Sequence, residues 1–305
     1  MLSWGQEVRA VELRVLNYFL AIAREENITR AADILHITQP TLSRQLAELE
    51  EELGVPLFIR GRRKFALTDA GVLLRRRAEE IVELADKTEQ EFSAPSPELT
   101  GLISIGSAVS SSARIWARLL DTFHARYPLV RYDLLFGNAE QIRERIDKGL
   151  IDIALLIEPT EIERYEYLRL REKEVWGVIV RPDDPLAERE AVTPEDLRDR
   201  PLLMSKQCMA QRELAHWFGD GFERQILLTY NLLANAVQLV EAGLGCAIAI
   251  EGAVNIHGAG NTCFRPLRPE LTNTSVLVWK KFQPFSPAVS AFVDHTKMLF
   301  RHDEL

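Results

Sequence analysis

Apolar residues recur at three- and four-residue steps in two neighbouring segments near the start of the chain. In the first segment, Asn27 can cap a helix that carries small and apolar side chains inward. In the second, Thr38 and Pro40 are typical of a helix start. Leucines then follow at helical spacing: Leu42, Leu46, Leu49 and Leu53. This spacing predicts a helix to about residue 52 whose apolar face packs on the preceding helix.

The opposite face of this second helix carries side chains suited to base edges and phosphates, namely hydroxyls, an amide and a guanidinium. The candidate DNA-contacting positions are Thr38, Gln39, Pro40, Thr41, Ser43 and Arg44. A basic hairpin follows, with four cations in five residues: Arg60, Arg62, Arg63 and Lys64. An isolated basic run is more often a solvated surface loop, but beside this helix it indicates phosphate contact.

This segment resembles the winged helix-turn-helix of the LysR-type transcriptional regulators. The resemblance rests on positions that keep the family's spacing: Ala31-Ala32, Leu35, Gln39-Pro40, Ser43, Leu49-Glu50, Leu53-Gly54, Leu57-Phe58, Arg60, Leu67-Thr68 and Gly71. The wing tip departs from the family, because Arg62 and Lys64 stand where small residues are common. The resemblance implies that residues 11–68 form a domain that binds double-stranded DNA.

A third helix is predicted over residues 69–93, with Thr68 as its cap. Its apolar seam alternates four- and three-residue steps: Leu74, Ala78, Ile81, Ala85, Thr88 and Phe92. A heptad stripe of this kind favours pairing with a second helix, although it could also pack on the chain's own domain. In LysR-type regulators the corresponding helix makes the dimer contact, so the resemblance implies a homodimer or homotetramer.

A Pro/Ser-rich break at residues 93–98 predicts a hinge, and a different architecture follows it. Predicted strands and helices alternate over residues 94–305, which implies a parallel sheet. The predicted strands are 102–106, 132–136, 151–157, 175–180, 202–204, 225–228, 246–250 and 276–279, and the predicted helices are 114–127, 140–148, 210–218, 234–242 and 287–300. We expect the last helix to return to the first lobe.

The second half also resembles the LysR-type regulators, mainly at packing and turn positions such as Gly101 to Gly106, Tyr127-Pro128 and Asp152 to Ala154. The resemblance implies an α/β effector domain of two Rossmann-like lobes, similar to periplasmic binding proteins, around a cleft. The whole chain is then a winged helix-turn-helix domain, a long linker helix and an effector domain.

Ligands of parallel α/β sheets gather beyond the carboxyl ends of strands, where helix N-termini present free N–H groups. Two loops there are rich in hydroxyls or charge, and a third strand end is a weaker candidate. The candidate effector residues are Ser107, Ser110, Ser111, Ser112, Ser205, Lys206, Gln207 and Thr229. Together they could hold an anion such as a carboxylate, with Lys206 opposite the serines. Alternatively, the serines are ordinary helix caps and Lys206 points into water.

Composition excludes several other classes of protein. The chain has 37 basic and 45 acidic residues, a net charge of −8, so a DNA-binding surface must be local. Its six histidines are scattered and its three cysteines are far apart, so we expect no catalytic residue, metal or cofactor. No apolar run is long enough to cross a bilayer and the start lacks a signal peptide, so a cytoplasmic protein without a membrane partner is expected.

These patterns together predict a ligand-responsive transcriptional regulator that contacts RNA polymerase if it is an activator. One alternative is a regulator that senses redox state through Cys208, which lies beside the predicted pocket, although no resolving cysteine is near it in sequence. Another alternative is a solute-binding protein without a regulatory role. That class shares the rear fold but leaves residues 27–68 without a function.

Overall fold

The computed structural model describes residues 11–60, 65–91, 98–108, 113–205, 212–253 and 262–302. The chain divides into two compact units, Met1–Pro95 and Ser96–Leu305. The candidate residues 62–64, 110–112, 206 and 207 lie outside the described residues, as do Cys208 and Phe92. In the described part of the chain, no helix is both long and apolar enough to cross a membrane.

The first unit is a helical domain with a two-stranded hairpin. Its elements in order are α1 Leu13–Glu25, α2 Ile28–Ile34, α3 Gln39–Leu53, β1 Phe58–Arg60, β2 Phe65–Leu67 and α4 Asp69–Glu91. The predicted cap of α2 is confirmed, since the Asn27 side chain accepts a hydrogen bond from the N–H of Arg30. The leucines of α3 are buried as predicted, except for Leu53, which is 38% exposed. They pack on Phe19 and Ile22 of α1 in one core.

Two close contacts hold the hairpin against the helices of this unit. The Glu50 carboxylate of α3 accepts hydrogen bonds from the N–H groups of Leu57 and Phe58, at 2.7 and 3.2 Å. On the other side, a Cβ atom at Gly71 of α4 would lie 2.1 Å from the carbonyl oxygen of Leu57. Only glycine allows this approach of α4 to the chain that enters the hairpin. The orientation of the hairpin relative to α3 is therefore fixed by short-range geometry.

The linker helix α4 begins at Asp69, as predicted. Thr68 caps it, because its hydroxyl accepts a hydrogen bond from the N–H of Gly71. The predicted seam is wrong in its first half. Ala78 is fully buried in the unit's own core and Leu74 packs against that core. Ile81 is 48% exposed, and Leu84, which the seam omitted, is 43% exposed. The exposed apolar residues in the second half of α4 thus include Ile81 of the predicted stripe and Leu84 beside it.

Among its described residues, the second unit is built around a nine-stranded mixed sheet. Its strands are β3 Gly101–Ala108, β4 Val130–Gly137, β5 Ile153–Ile157, β6 Tyr165–Val180, β7 Leu202–Ser205, β8 Ile226–Tyr230, β9 Cys246–Ile250, β10 Cys263–Pro266 and β11 Thr272–Lys280. Its α-helices are α5 Ala113–Arg126, α6 Ala139–Asp147, α7 Pro194–Leu197, α8 Arg212–Phe218, α9 Leu233–Glu241 and α10 Pro287–Arg301.

The expectation of a purely parallel sheet is wrong in the centre of the sheet. Strand order is β4-β3-β5-β11-β6-β9-β7-β8, and β10 also pairs with β6. The flanking sets β4-β3-β5 and β9-β7-β8 are parallel, but β11 and β6 are antiparallel to their neighbours. The predicted strand 175–180 is the second half of β6, whose 16 residues run through both halves of the sheet.

Strand β6 divides the unit into two lobes with separate cores. The first lobe contains β3, β4, β5, α5, α6 and the first half of β6, with a core that includes Ile103, Trp116 and Phe123. The second lobe contains the second half of β6 with β7 to β10 and α7 to α9. The return of the last helix to the first lobe is confirmed, because Phe292 and Val293 of α10 belong to the first lobe's core.

Candidate DNA-binding surface and effector cleft

The polar face of α3 is exposed, and the position of the helix is fixed by its buried leucines. Thr38 is the N-cap residue, with extended backbone angles, and its hydroxyl lies 2.8 Å from that of Thr41. Gln39, Pro40, Thr41 and Arg44 are exposed, and Ser43 is half-buried. The structure thus brings together on one surface all six predicted residues of α3 and its cap. A rigid helix start with short hydroxyls and long polar side chains is suited to enter a major groove.

Arg44 is the only guanidinium among these six positions, and its side chain is 71% exposed. Its Nε atom lies 3.6 Å from the Glu48 carboxylate, one helical turn further on. Glu48 therefore lies close to the predicted DNA-contacting residues. An exposed ion pair of this kind contributes at most about 1 kcal/mol, so a phosphate or a guanine can replace Glu48 as the partner of Arg44.

The hairpin has the pairing that the wing requires. Strands β1 and β2 are antiparallel, with Phe58 opposite Leu67 and Arg60 opposite Phe65. Phe58 stacks on Phe65 with a centroid distance of 4.6 Å, which ties the two strands to the core. Of the predicted cations, Arg60 ends β1, and the other three stand in the segment between the strands, outside the described residues. Their phosphate contacts stay a prediction.

The strand directions of the second unit bring two sets of carboxyl-terminal strand ends toward each other at the boundary between its lobes, where the resemblance implies a cleft. Strand β5 runs in the same direction as β6, because both are antiparallel to β11. Strand β9 runs against the second half of β6 and is parallel to β7. The carboxyl ends of β3, β4 and β5 therefore point toward the second lobe, and those of β7, β8 and β9 point toward the first. These two sets of strand ends are the places where α/β sheets bind ligands.

The described candidates for effector binding lie at or near these strand ends. Ser107 belongs to β3, which continues to Ala108, so the predicted strand end at residue 106 is wrong. Its side chain is fully buried, and its backbone pairs with β4 on one side and β5 on the other, so Ser107 is a structural residue of the sheet near the cleft. Ser205 is the last residue of β7 and is half-buried, and Thr229 is exposed in β8. Thr229 pairs with Met204, so it stands beside Ser205 at the same sheet edge.

Helix α9 provides a further group at this edge that the sequence prediction did not include. It begins directly after β8, and its N-cap residue is Leu232, which makes no side-chain cap hydrogen bond. The first N–H groups of a helix without such a cap are available to an anion or to water. A leucine where Ser, Thr, Asp or Asn is usual was the available signal in the sequence.

The two described cysteines are unsuited to redox sensing. Cys246 is 2% exposed in β9, and burial raises its pKa to about 11. Burial also raises the pKa of Cys263 above its ordinary value. Both thiols are consequently protonated at neutral pH and react slowly, since the thiolate is the nucleophile. In the described ranges, no group of three His, Cys, Asp or Glu side chains is arranged to hold a metal ion.

Two family models match this chain and together cover most of it. Residues 13–72 match the bacterial regulatory helix-turn-helix protein, lysR family, and residues 96–301 match the LysR substrate binding domain.

Individual proteins match over nearly the whole length. The Hca operon transcriptional activator HcaR of Escherichia coli (strain K12) is 32% identical over 290 residues, which cover 93% of this chain and 96% of that protein. A hydrogen peroxide-inducible genes activator of Dickeya chrysanthemi is 27% identical over 291 residues, covering 94% of this chain and 95% of that one. Full-length CbnR complexed with its target DNA has a TM-score of 0.74 at 22% identity, covering 94% of this chain and 99% of that chain. At this identity, the likeness to CbnR shows a shared fold.

Proposed function

Because this chain belongs to the LysR family of bacterial helix-turn-helix regulators, it is a DNA-binding transcriptional regulator with an effector-binding domain, and we propose which residues perform these two tasks. Residues Thr38 to Arg44 read base edges in a major groove. Residues 60–64 hold the flanking phosphates. A small molecule binds in the cleft between the lobes and shifts the equilibrium between two states of the DNA-bound assembly.

The observation that carries the DNA-reading role is the exposed polar face of α3 above a fully buried leucine face. Leu42 and Leu49 are at most 1% exposed, so the helix cannot rotate to present another side. Arg44 is exposed on the opposite face and can form a bidentate contact with guanine. The hairpin is held in place by the contacts of Glu50 and Gly71. It provides a second and independent contact, to the phosphate backbone of the DNA.

Selection of bound duplexes from a random DNA library tests this role without knowledge of the natural operator. We expect enrichment of one motif with two related half-sites, because the protein binds as a homodimer or homotetramer. The enriched motif should bind at least about a thousandfold more tightly than random duplex at physiological salt. Binding without enrichment of any sequence would contradict base reading by α3 and leave only phosphate contact.

The effector role rests on the opposed strand ends of the two lobes. Ser205, Thr229 and the start of α9 supply one side of the cleft, and the chain after Ser107 supplies the other. With Lys206 and the hydroxyls of residues 110–112, these groups favour an anionic ligand such as a carboxylate. A thermal-shift screen of small metabolites tests the effector role, since a ligand that binds the native state raises the apparent stability of the protein.

The remaining features of the proposal follow from the same family and fold. We infer a cytoplasmic location, no catalytic activity, and contact with RNA polymerase if the protein is an activator. Redox sensing is the second candidate, because a peroxide-inducible activator is among the relatives. The raised pKa of Cys246 and that of Cys263 weigh against those two residues as sensors, which leaves Cys208 as the only candidate thiol of the three.

A further inference from the structure

At the boundary between the two lobes, the side chain of Asn273 makes two hydrogen bonds. Strand β11 enters this boundary at Thr272, and its second residue, Asn273, is 8% exposed. The Asn273 side-chain oxygen accepts a hydrogen bond from the indole N–H of Trp176. Its side-chain nitrogen donates to the carbonyl oxygen of Glu158 at 2.7 Å. The side-chain amide of Asn273 thus accepts one hydrogen bond and donates another.

The two partners of Asn273 belong to different lobes. Trp176 is 2% exposed and forms part of the second lobe's core. Glu158 directly follows β5, at the carboxyl end of the first lobe's parallel strands. The Glu158 residue is itself anchored in the first lobe, because its carboxylate forms two hydrogen bonds, at 2.7 and 2.8 Å, with Arg169 in the first half of β6. Asn273 therefore connects the core of one lobe to the cleft edge of the other.

The ladder between β11 and β6 is interrupted close to Asn273. The pairing of β11 with β6 shifts register between Thr274 and Val276, immediately after Asn273. Such a bulge interrupts the regular ladder and allows the strand to bend. Rotation of one lobe against the other about this point must stretch the bridge from Trp176 to Glu158. Because Trp176 and Asn273 are 2% and 8% exposed, a broken bridge leaves the indole N–H unpaired in the protein interior, which is costly.

We propose that Asn273 is a latch between the lobes, which holds one interlobe angle and transmits movement of the second lobe to the Glu158 edge of the cleft. The proposal rests on the proposed effector function only where it links this movement to regulation. The latch itself is a property of the protein without a ligand.

Hydrogen exchange of the full-length protein, without DNA and without ligand, tests the latch. The reporter is the peptide covering residues 154–162, which contains the Glu158 N–H bonded to the carbonyl oxygen of Thr274 at 2.8 Å. Asn273→Leu removes the hydrogen bonds of Asn273 with Trp176 and Glu158. Trp176→Phe removes only the indole N–H, which does not contact residues 154–162 directly. We expect each variant to speed exchange of this peptide by about threefold to tenfold, the effect of one lost hydrogen bond on local opening. The double variant should exchange no faster than Asn273→Leu, because the two changes break one path.

Trp217→Phe is the control for loss of an indole donor. It also removes an indole donor, but the acceptor is the carbonyl oxygen of Pro269, within the same second lobe. This variant should leave exchange of residues 154–162 unchanged. The proposal is overturned if Trp176→Phe leaves that exchange at the rate of Trp217→Phe, or if the Asn273 and Trp176 variants have additive effects. Trp176→Phe keeps Asn273 and its bond to Glu158, so it tests the latch even if Asn273→Leu does not fold.

The result of the hydrogen-exchange experiment can be distinguished from the result of the tests of DNA and effector binding. Sequence-selective DNA binding by the same variants reports on α3 and should be retained, because the latch lies in the other unit. A protein that binds no effector could still possess the latch, and a regulator with a proven effector could lack it.

Discussion

The surface of α3 and the interlobe cleft place their candidate residues in different ways. The α3 surface consists of residues 38–44, one continuous segment whose orientation follows from three buried leucines on the same helix. The cleft draws on the ends of strands that are far apart in sequence, such as β3 and β7, whose positions depend on the whole sheet. The first is a rigid contact surface made by local structure. The second lies between two lobes that share the long strand β6.

We expect substitutions in the first unit to change folding, self-association or DNA binding, and substitutions at the cleft of the second unit to change ligand affinity. The largest expected effect comes from Gly71→Ala. The added Cβ atom meets the carbonyl oxygen of Leu57 at 2.1 Å, and backbone cannot yield cheaply. We expect a loss of about 3 kcal/mol of folding free energy and loss of operator binding, measured by denaturant titration and by DNA titration.

Gly54→Ala is the control for the Gly71 experiment. Gly54 ends α3 with φ of +70°, and an added Cβ atom there would meet nothing within 4 Å. Only the left-handed conformation is penalised, at about 1 kcal/mol. Equal losses from the two substitutions would show that the contact with Leu57 does not hold the hairpin.

The next largest effect is expected on self-association through α4. Ile81 is 48% exposed, and Ile81→Asp would place an unpaired carboxylate in a subunit interface, which costs several kcal/mol unless the interface opens. Analytical ultracentrifugation should show smaller species. Val72 is 58% exposed and, by helical geometry, faces the opposite side of α4, so Val72→Asp should leave the assembly intact. If the two variants sediment alike, this face of α4 does not make the interface.

A smaller effect is predicted for Lys206→Ala in the proposed effector site. Loss of a charge-assisted hydrogen bond should weaken an anionic ligand from the thermal screen by about tenfold to a hundredfold, measured by calorimetry. Lys148→Ala is the control, since it removes the same charge from the end of α6, where Lys148 pairs with Glu144. Equal affinities of the Lys206 variant and wild type would place the site elsewhere or make the ligand neutral.

The smallest effect is expected from Glu48→Ala. This carboxylate is Arg44's ion-pair partner at 3.6 Å, and the exposed pair contributes less than about 0.5 kcal/mol to folding. Removal of the acid frees Arg44 and lowers repulsion of phosphates, so operator affinity should rise slightly with unchanged stability. A fall in affinity, measured by DNA titration at constant salt, would mean that Glu48 positions Arg44 for contact.

The sequence predicted α2, α3 and the start of α4 closely because their signals are local, whereas α1 was not predicted. The Asn27 cap marks the start of α2, and the leucine spacing of α3 follows the 3.6-residue helical period. It misassigned the seam of α4, because the repeat does not reveal that Ala78 packs on its own unit. The role of Glu50 was also missed, since its partner N–H groups lie seven and eight residues away.

The second unit was predicted less well, because its strands depend on distant partners. The first half of β6 has exposed residues at most positions and shows no apolar run. Strand β10 has four half-buried residues and ends in proline, so it carries no clear strand pattern. The Asn273 bridge could not be predicted, since its three residues come from three strands or strand ends.

The central claim is that the exposed face of α3 reads DNA sequence, and Arg44→Ala tests it most directly. Affinities for the selected motif and for random duplex should be measured for this variant and for Arg24→Ala, which removes the same charge from an exposed position on α1. We predict that Arg44→Ala loses about 1–3 kcal/mol of affinity for the motif, with discrimination relaxed at one base pair, and changes random-duplex binding little more than Arg24→Ala does. Unchanged discrimination in the Arg44 variant would contradict the account.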